Sequence, residues 1–338
     1  MIVGSFFTRL RAAPARFLSA LAGGRTAIKL AIGVPVLLAG LYTAVFFVQY
    51  RIDDNPNLAP EPATVISGGS TAVSMAVTLM EQETHHTVWA PSQLWFSPVS
   101  HSTNMVNYQE GIQYEVARWA VEMSDFLGRE RGSGAADRDL TDAAGLLKYD
   151  PTAWVLPSAV TQYDKAITSL LNYNRRLAVG EAKYDKISST LSVFLDRISK
   201  DIGSQSNTLE LAVLTPEDFT DSQKADLTDA AKALLSDNGG YIDHRATVIF
   251  YATKGRLYAD YMLLKAIGED YHDVLVAKNA DKHWDNMLVS LRAAATYRKF
   301  FVANGAAGSY IVPNDLAYQG FHLLRTDKQI SELVDILK

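Results

Sequence analysis

The run from Leu30 to Tyr50 constrains this chain more than any other stretch, because its 21 consecutive residues carry no charge. A helix of this length is about 31 Å long, which matches the hydrocarbon core of a bilayer. Lys29 and Arg51 flank the run, and the ring of Tyr50 is of the amphipathic kind found at headgroup level. The run therefore predicts a transmembrane helix over residues 28–50, with the lipid bilayer as its partner.

The charges on the two sides of this run differ, and the difference predicts an orientation. Residues 1–27 contain four arginines and no acidic residue, whereas two aspartates follow shortly after Arg51. The positive-inside rule places such a basic tail in the cytoplasm and the rest of the chain on the other side. A cleaved signal peptide would have a shorter apolar region followed by a small-x-small site. Residues 51–62 contain no such site, which favours an uncleaved signal-anchor.

Composition excludes several classes of function. Six of the 32 lysines and arginines lie within residues 1–51, so 26 basic residues face 37 acidic ones beyond, a balance that disfavours nucleic acid. The chain has no cysteine, which excludes disulfides and thiolate sites. His85, His86 and His101 lack the paired spacing of a zinc site. Neither a metal nor a cofactor is predicted.

The sequence predicts an all-α fold, because apolar residues recur at helical spacing and no alternating strand pattern is present. Residues 51–69, with three prolines and a Gly-Gly pair, predict a linker to a helical extracytoplasmic domain over residues 70–338. Two long helices, up to Val179 and from there to Ile202, are expected to form an antiparallel hairpin. A loop is predicted at 204–218, and two subdomains would meet near 204–219.

Two segments hold the candidate functional residues. Between residues 84 and 103 the helical period disappears, and three large aromatic residues alternate with two prolines. We expect Trp89 to pack in the core and Trp95 and Phe96 to form a partner surface. The glycine-rich turn at 128–136 contains Arg129 and Arg131. Because guanidinium donors suit carboxylates and terminal carbonyls, we expect this turn to be structural rather than an anion site.

The sequence contains no recognisable catalytic motif. It lacks the SxxK and GxSxG nucleophile motifs, a Walker lysine loop and the HExxH zinc motif. A catalytic pair of carboxylates has no sequence signature, because the fold sets its separation. The sequence favours a non-enzymatic scaffold or partner-binding protein. A cell-envelope hydrolase directed at peptidoglycan, with an unrecognised carboxylate site, is the alternative.

Four short motifs between residues 86 and 133 resemble a known family. They are His86-Thr87-Val88-Trp89, Asn104-Met105, Gln109-Glu110-Gly111 and the run GRERGS at 128–133. Together they resemble a bacterial inner-membrane family known only as domain of unknown function 2333. The resemblance implies a single-pass inner-membrane protein with a periplasmic domain. It implies no activity and no functional residue, and we expect an envelope protein or a second copy of the chain as partner.

Overall fold

A computed structural model describes residues 24–127, 136–213, 220, 243–299, 301–305 and 313–338. These residues form ten α-helices and no strand, which confirms the all-α class. The chain divides into two compact units, Met1–Tyr50 and Arg51–Lys338.

The described part of the first unit is a single helix, α1 (Gly24–Gln49). Its segment Lys29–Gln49 is long and apolar enough to span a membrane, and none of it is buried. A helix of this kind near the N-terminus fits a membrane anchor or a signal sequence. The ring of Tyr50 follows directly and stacks on that of Phe46, with 5.3 Å between centroids.

The described residues of the second unit contain nine α-helices. They are α2 (Thr71–Glu81), α3 (Thr103–Glu122), α4 (Arg138–Leu147), α5 (Ala159–Ala178), α6 (Ser188–Val213), α7 (His244–Asp270), α8 (His272–Ala277), α9 (Asp281–Ala295) and α10 (Asp315–Leu337). Six of them begin after a short polar residue whose side chain accepts a hydrogen bond from a first-turn N–H group. These caps are Ser70, Ser102, Asp137, Ser158, Asp243 and Asn314.

Helix α7 is the centre of the second unit and packs against α2, α3 and α9. Its crossing with α3 is close because Gly111 and Gly255 face each other's helix. A Cβ atom on Gly255 would overlap the carbonyl oxygen of Tyr108, and one on Gly111 would overlap that of Ala252. Two backbones therefore touch here, which only glycine allows.

The expected pairing of the long helices is wrong, although long antiparallel helices are present. Helix α5 packs on α4 and α2, whereas α6 packs on α10. Ser188, at the start of α6, donates to the carbonyl oxygen of Leu337 at the end of α10, so these two helices run antiparallel.

The loop predicted from residue 204 is also wrong as far as Val213, where α6 ends. The helix continues through Gly203 because its apolar spacing continues with the buried Leu209 and Ala212. Residues 214–219 lie outside the described part.

Candidate interaction surface

The segment between α2 and α3 is irregular apart from two short turns. A π-helical turn, Gln82–His86, extends α2, and a 3-10 turn, Pro98–His101, precedes α3. The run Asn107-Tyr108-Gln109-Glu110 resembles a capping box, but Asn107 lies in the second turn of α3 and donates to the carbonyl oxygen of Thr103. The helix begins earlier because Ser102 supplies the cap.

Gln109 of α3 holds this segment in place. Its side chain is fully buried. The Oε1 atom accepts from the N–H of Ala90 at 2.8 Å, and Nε2 donates to the carbonyl oxygen of Val88 and to a carboxylate oxygen of Glu83, both at 3.0 Å. Burial raises the pKa of Glu83 to about 7. One amide thus pairs groups from three points of the segment.

Trp89 lies in the core, where the sequence predicts it, with 2% of its surface exposed. Its Nε1 donates to the carbonyl oxygen of Pro151 at 2.9 Å, and its ring meets Tyr163 edge-on, with 5.4 Å between centroids. Pro151 belongs to the connection between α4 and α5. Trp89 therefore ties the irregular segment to that connection.

Trp95 and Phe96 lie on the surface, with 80% and 59% of their area exposed. Their rings pack edge to face, with 5.8 Å between centroids. His101 Nε2 donates to the carbonyl oxygen of Trp95 at 2.6 Å and fixes the backbone below the two rings. The placement agrees with the predicted partner surface, whose role stays a prediction.

A second exposed apolar loop joins α4 to α5, and sequence reasoning missed it. Trp154, Val155 and Leu156 are 61%, 62% and 90% exposed. The available signal was PTAWVLP, in which apolar residues lie between two prolines, a pattern that also fits a buried connection. Tyr149 closes this loop, since its hydroxyl donates to the carbonyl oxygen of Pro157.

The two loops lie at the same end of the pair of helices α2 and α5. Helices α2 and α5 run antiparallel, because Ser70 at the start of α2 bonds Asn174 late in α5. At the other end, His85 Nε2 lies 2.8 Å from a carboxylate oxygen of Asp164, early in α5. One loop follows the end of α2 and the other precedes the start of α5. We name their exposed residues the apolar end surface: Leu94, Trp95, Phe96, Trp154, Val155 and Leu156.

The stretch expected to be a linker is packed where it begins. The carboxylate of Asp54 is 1% exposed and accepts from Lys254 Nζ and Arg298 Nε, each at 2.8 Å. Burial alone would raise the pKa of Asp54, but hydrogen bonds from Arg298 and then Lys254 outweigh it and lower the pKa. Proline content suggested a linker, while the partner of Asp54 lies 200 residues away and leaves no local signal.

This beginning of the second unit contacts the end of α2, which the first of the two loops follows. The side chain of Gln82, at the end of α2, donates to Asp53, and the hydroxyl of Tyr108 donates to the carbonyl oxygen of Asp53 at 2.8 Å. Tyr108 directly precedes Gln109, which holds the irregular segment. Residues 51–54 and the two loops therefore share one end of the α2–α5 pair.

A cavity of about 590 Å³ opens between α3, α7 and the α4–α5 connection. The guanidinium of Arg256 lies 3.9 Å from the ring centroid of Tyr114 on its wall. Arg118, also on the wall, pairs with the largely buried Asp201 at 3.1 Å. The wall thus combines aromatic and charged side chains.

Glu115 and Asp260 form a buried carboxyl pair next to this cavity but do not line it. Burial raises the pKa of both groups. The charge of Asp260 raises the pKa of Glu115 further. For Asp260 the further increase comes from the charge of Asp201, while a hydrogen bond with Glu115 acts in the opposite direction. Two buried carboxyl groups this close cannot both be ionised, so the pair retains a proton. The pair is closed off from solvent, so the structure does not present it to a substrate.

The remaining predicted residues have simple placements. Lys29 and Arg51 are exposed. Arg129 and Arg131 lie outside the described residues, so their structural role stays a prediction. Within the described ranges, no group of three or more His, Asp or Glu side chains is arranged to hold a metal ion.

Comparison with known families identifies the family of this chain. A family described as an uncharacterized protein conserved in bacteria, DUF2333, matches residues 60–337. The chain belongs to this family. No curated protein and no solved structure matches it.

The DUF2333 resemblance rests partly on residues that pack rather than react. Trp89 and Gln109 hold the irregular segment, and Gly111 permits the contact between α3 and α7. The described residues of these motifs therefore position the irregular segment and allow the close contact of α3 with α7.

Proposed function

We propose that this DUF2333 protein is a single-pass protein of the bacterial inner membrane, with its N-terminus in the cytoplasm and its second unit in the periplasm. There it works without catalysis, as a scaffold that binds a component of the cell envelope. The basic residues before α1 and the apolar character of that helix support the membrane placement.

Orientation has a direct test. A phosphatase that is active only outside the cytoplasm, fused after Lys338, should be active in cells. An inactive fusion, beside an active cytoplasmic reporter at the same point, would overturn the proposed orientation.

The apolar end surface carries the proposal of binding. Its six apolar residues include two tryptophans and a phenylalanine, and all are at least 38% exposed. Clusters of exposed large apolar side chains mark interaction sites, and tryptophan is enriched where binding energy concentrates. Trp89 and Gln109 hold one loop rigidly, so little conformational freedom is lost when the surface is covered.

A photo-crosslinking side chain in place of Phe96 tests this binding in intact cells. The matched control replaces Val179, which is 70% exposed but follows the opposite end of α5. We expect an adduct from position 96, of protein or of lipid, and none from position 179. Equal labelling at the two positions, or no adduct at 96, would overturn the binding proposal.

One observation favours the hydrolase as a second candidate: the Glu115–Asp260 pair next to a 590 Å³ cavity. A hydrolase would have to open this pair to substrate. Under our proposal the full-length protein in detergent releases no soluble fragments from purified peptidoglycan. Release by the parent that is lost in Glu115→Gln would establish the hydrolase instead.

A further inference from the structure

We propose that the apolar end surface inserts into the interface of the membrane that holds α1, so that the bilayer itself is the component it binds. This inference rests on the proposed function, because it names the partner of the same surface.

The chemistry of the residues fits a lipid interface. Tryptophan rings favour the level of the headgroups, where the ring is in apolar contact and the indole N–H remains hydrated. Phe96, Val155 and Leu156 have no polar side-chain atom and suit the boundary with the acyl chains. They lie exposed in the two loops that the buried Trp89 ties together, so insertion requires no rearrangement of the helices.

The position of the surface supports the same partner. Residues 51–54 follow the apolar segment directly in the chain, and Asp53 contacts Gln82 at the end of α2, which the first loop follows. Asp54 is fixed there by Lys254 and Arg298. The part of the second unit that carries the two loops is thus joined to the apolar segment by only a few residues of chain.

The charge balance of the chain indicates which interaction drives the contact with the bilayer. Beyond residue 51 the chain has 26 basic against 37 acidic residues, so attraction to anionic lipid is not the driving term. The contact should rest on apolar burial, which salt does not screen. Insertion is therefore expected into uncharged phosphatidylcholine and at both low and high salt.

The absence of cysteine allows a sharp test with single-cysteine variants of the full-length protein. Phe96→Cys, Leu156→Cys and the control Val179→Cys are labelled with an environment-sensitive fluorophore and reconstituted in phosphatidylcholine vesicles. Labels at 96 and 156 should emit at shorter wavelength and be quenched by brominated acyl chains. The label at 179 should instead be quenched by iodide present on both sides of the vesicles.

Failure of the insertion and failure of the proposed binding function give different results. Iodide quenching at 96 and 156 as strong as at 179 would overturn the insertion. Shielding that grows with the protein-to-lipid ratio would assign the surface to a second copy. A protein adduct from position 96 in cells, with no quenching by brominated lipid, would keep the binding function and reject the bilayer as partner. No adduct of either kind would reject both.

Discussion

Two tryptophans six positions apart have opposite surroundings, and this contrast governs the irregular segment. Trp89 is buried with its N–H group paired, whereas Trp95 is 80% exposed. Identical side chains in one loop are therefore buried in one case and exposed in the other, where we propose contact with a partner. Local sequence predicted this division because Trp89 comes soon after a helix end and Trp95 lies between two prolines.

We expect Trp89→Ala and Trp95→Ala to differ in stability. Removing a buried tryptophan typically costs about 3–5 kcal/mol, while an exposed substitution changes stability by roughly 0.5 kcal/mol or less. Denaturant unfolding of the full-length protein in detergent, followed by circular dichroism, measures the difference. Equal losses in the two variants would mean that Trp95 is part of the core.

The buried pair of Glu115 and Asp260 predicts a pH dependence. Both pKa values are raised in the fold, so the unfolded chain binds fewer protons than the folded one above a pH of about 4. The contribution of the pair to the free energy of unfolding therefore falls as pH rises from there through the raised pKa values. Glu115→Gln should gain stability relative to the parent as pH increases. The exposed Glu332→Gln is the control, and a constant difference across pH would contradict the prediction.

At the scale of elements, the crossing of α3 and α7 depends on two glycines that present no side chain. Alanine favours a helix by about 1 kcal/mol over glycine, but overpacking at a tight contact costs roughly 1–3 kcal/mol or more. At Gly255 the overlap is with backbone, so Gly255→Ala should lower the free energy of unfolding. Gly203→Ala in α6 meets open space and should raise it slightly. Stabilisation by both changes would show that the helices separate at no cost.

The same scale shows what sequence predicts well. The starts of α2, α4, α5 and α10 follow from Ser70, Asp137, Ser158 and Asn314, because a cap is a local interaction. The partner of α6 did not follow, because an apolar face does not specify which other face covers it. The predicted helix end at Gly203 was wrong for a related reason. The burial of Leu209, later in the same helix, outweighs the weak helix propensity of one glycine.

For the whole molecule, the fixed start of the second unit predicts a large effect of one substitution. Asp54→Asn leaves Lys254, which is 1% exposed, without its counter-charge. Loss of one partner from a buried ion pair typically costs about 3–5 kcal/mol. The exposed pair Asp196–Lys200 supplies the control, because Asp196→Asn should cost less than about 1 kcal/mol.

The pH dependence of that pair has the opposite sign to that of the carboxyl pair. Because the pKa of Asp54 is lowered, its stabilisation is present above the ordinary carboxyl pKa and is lost as pH falls. Thermal unfolding of the parent and of Asp54→Asn should converge in acid. A gap that persists at low pH would show that Asp54 acts through packing alone.

The ion pairs of Asp54 with Lys254 and Arg298 also determine how much of the predicted linker is free to move. A free linker of 19 residues has a root-mean-square span of about 24 Å by the scaling for flexible chains. With the chain held at Asp54, only residues 51–53 of that stretch remain, which reach at most about 11 Å when fully extended. Under the proposed membrane placement, a shorter tether confines the second unit to a smaller volume and raises the effective concentration of sites close in sequence to residue 54 toward the membrane. Weak contacts at such sites then add up more readily than the same contacts made by an untethered unit.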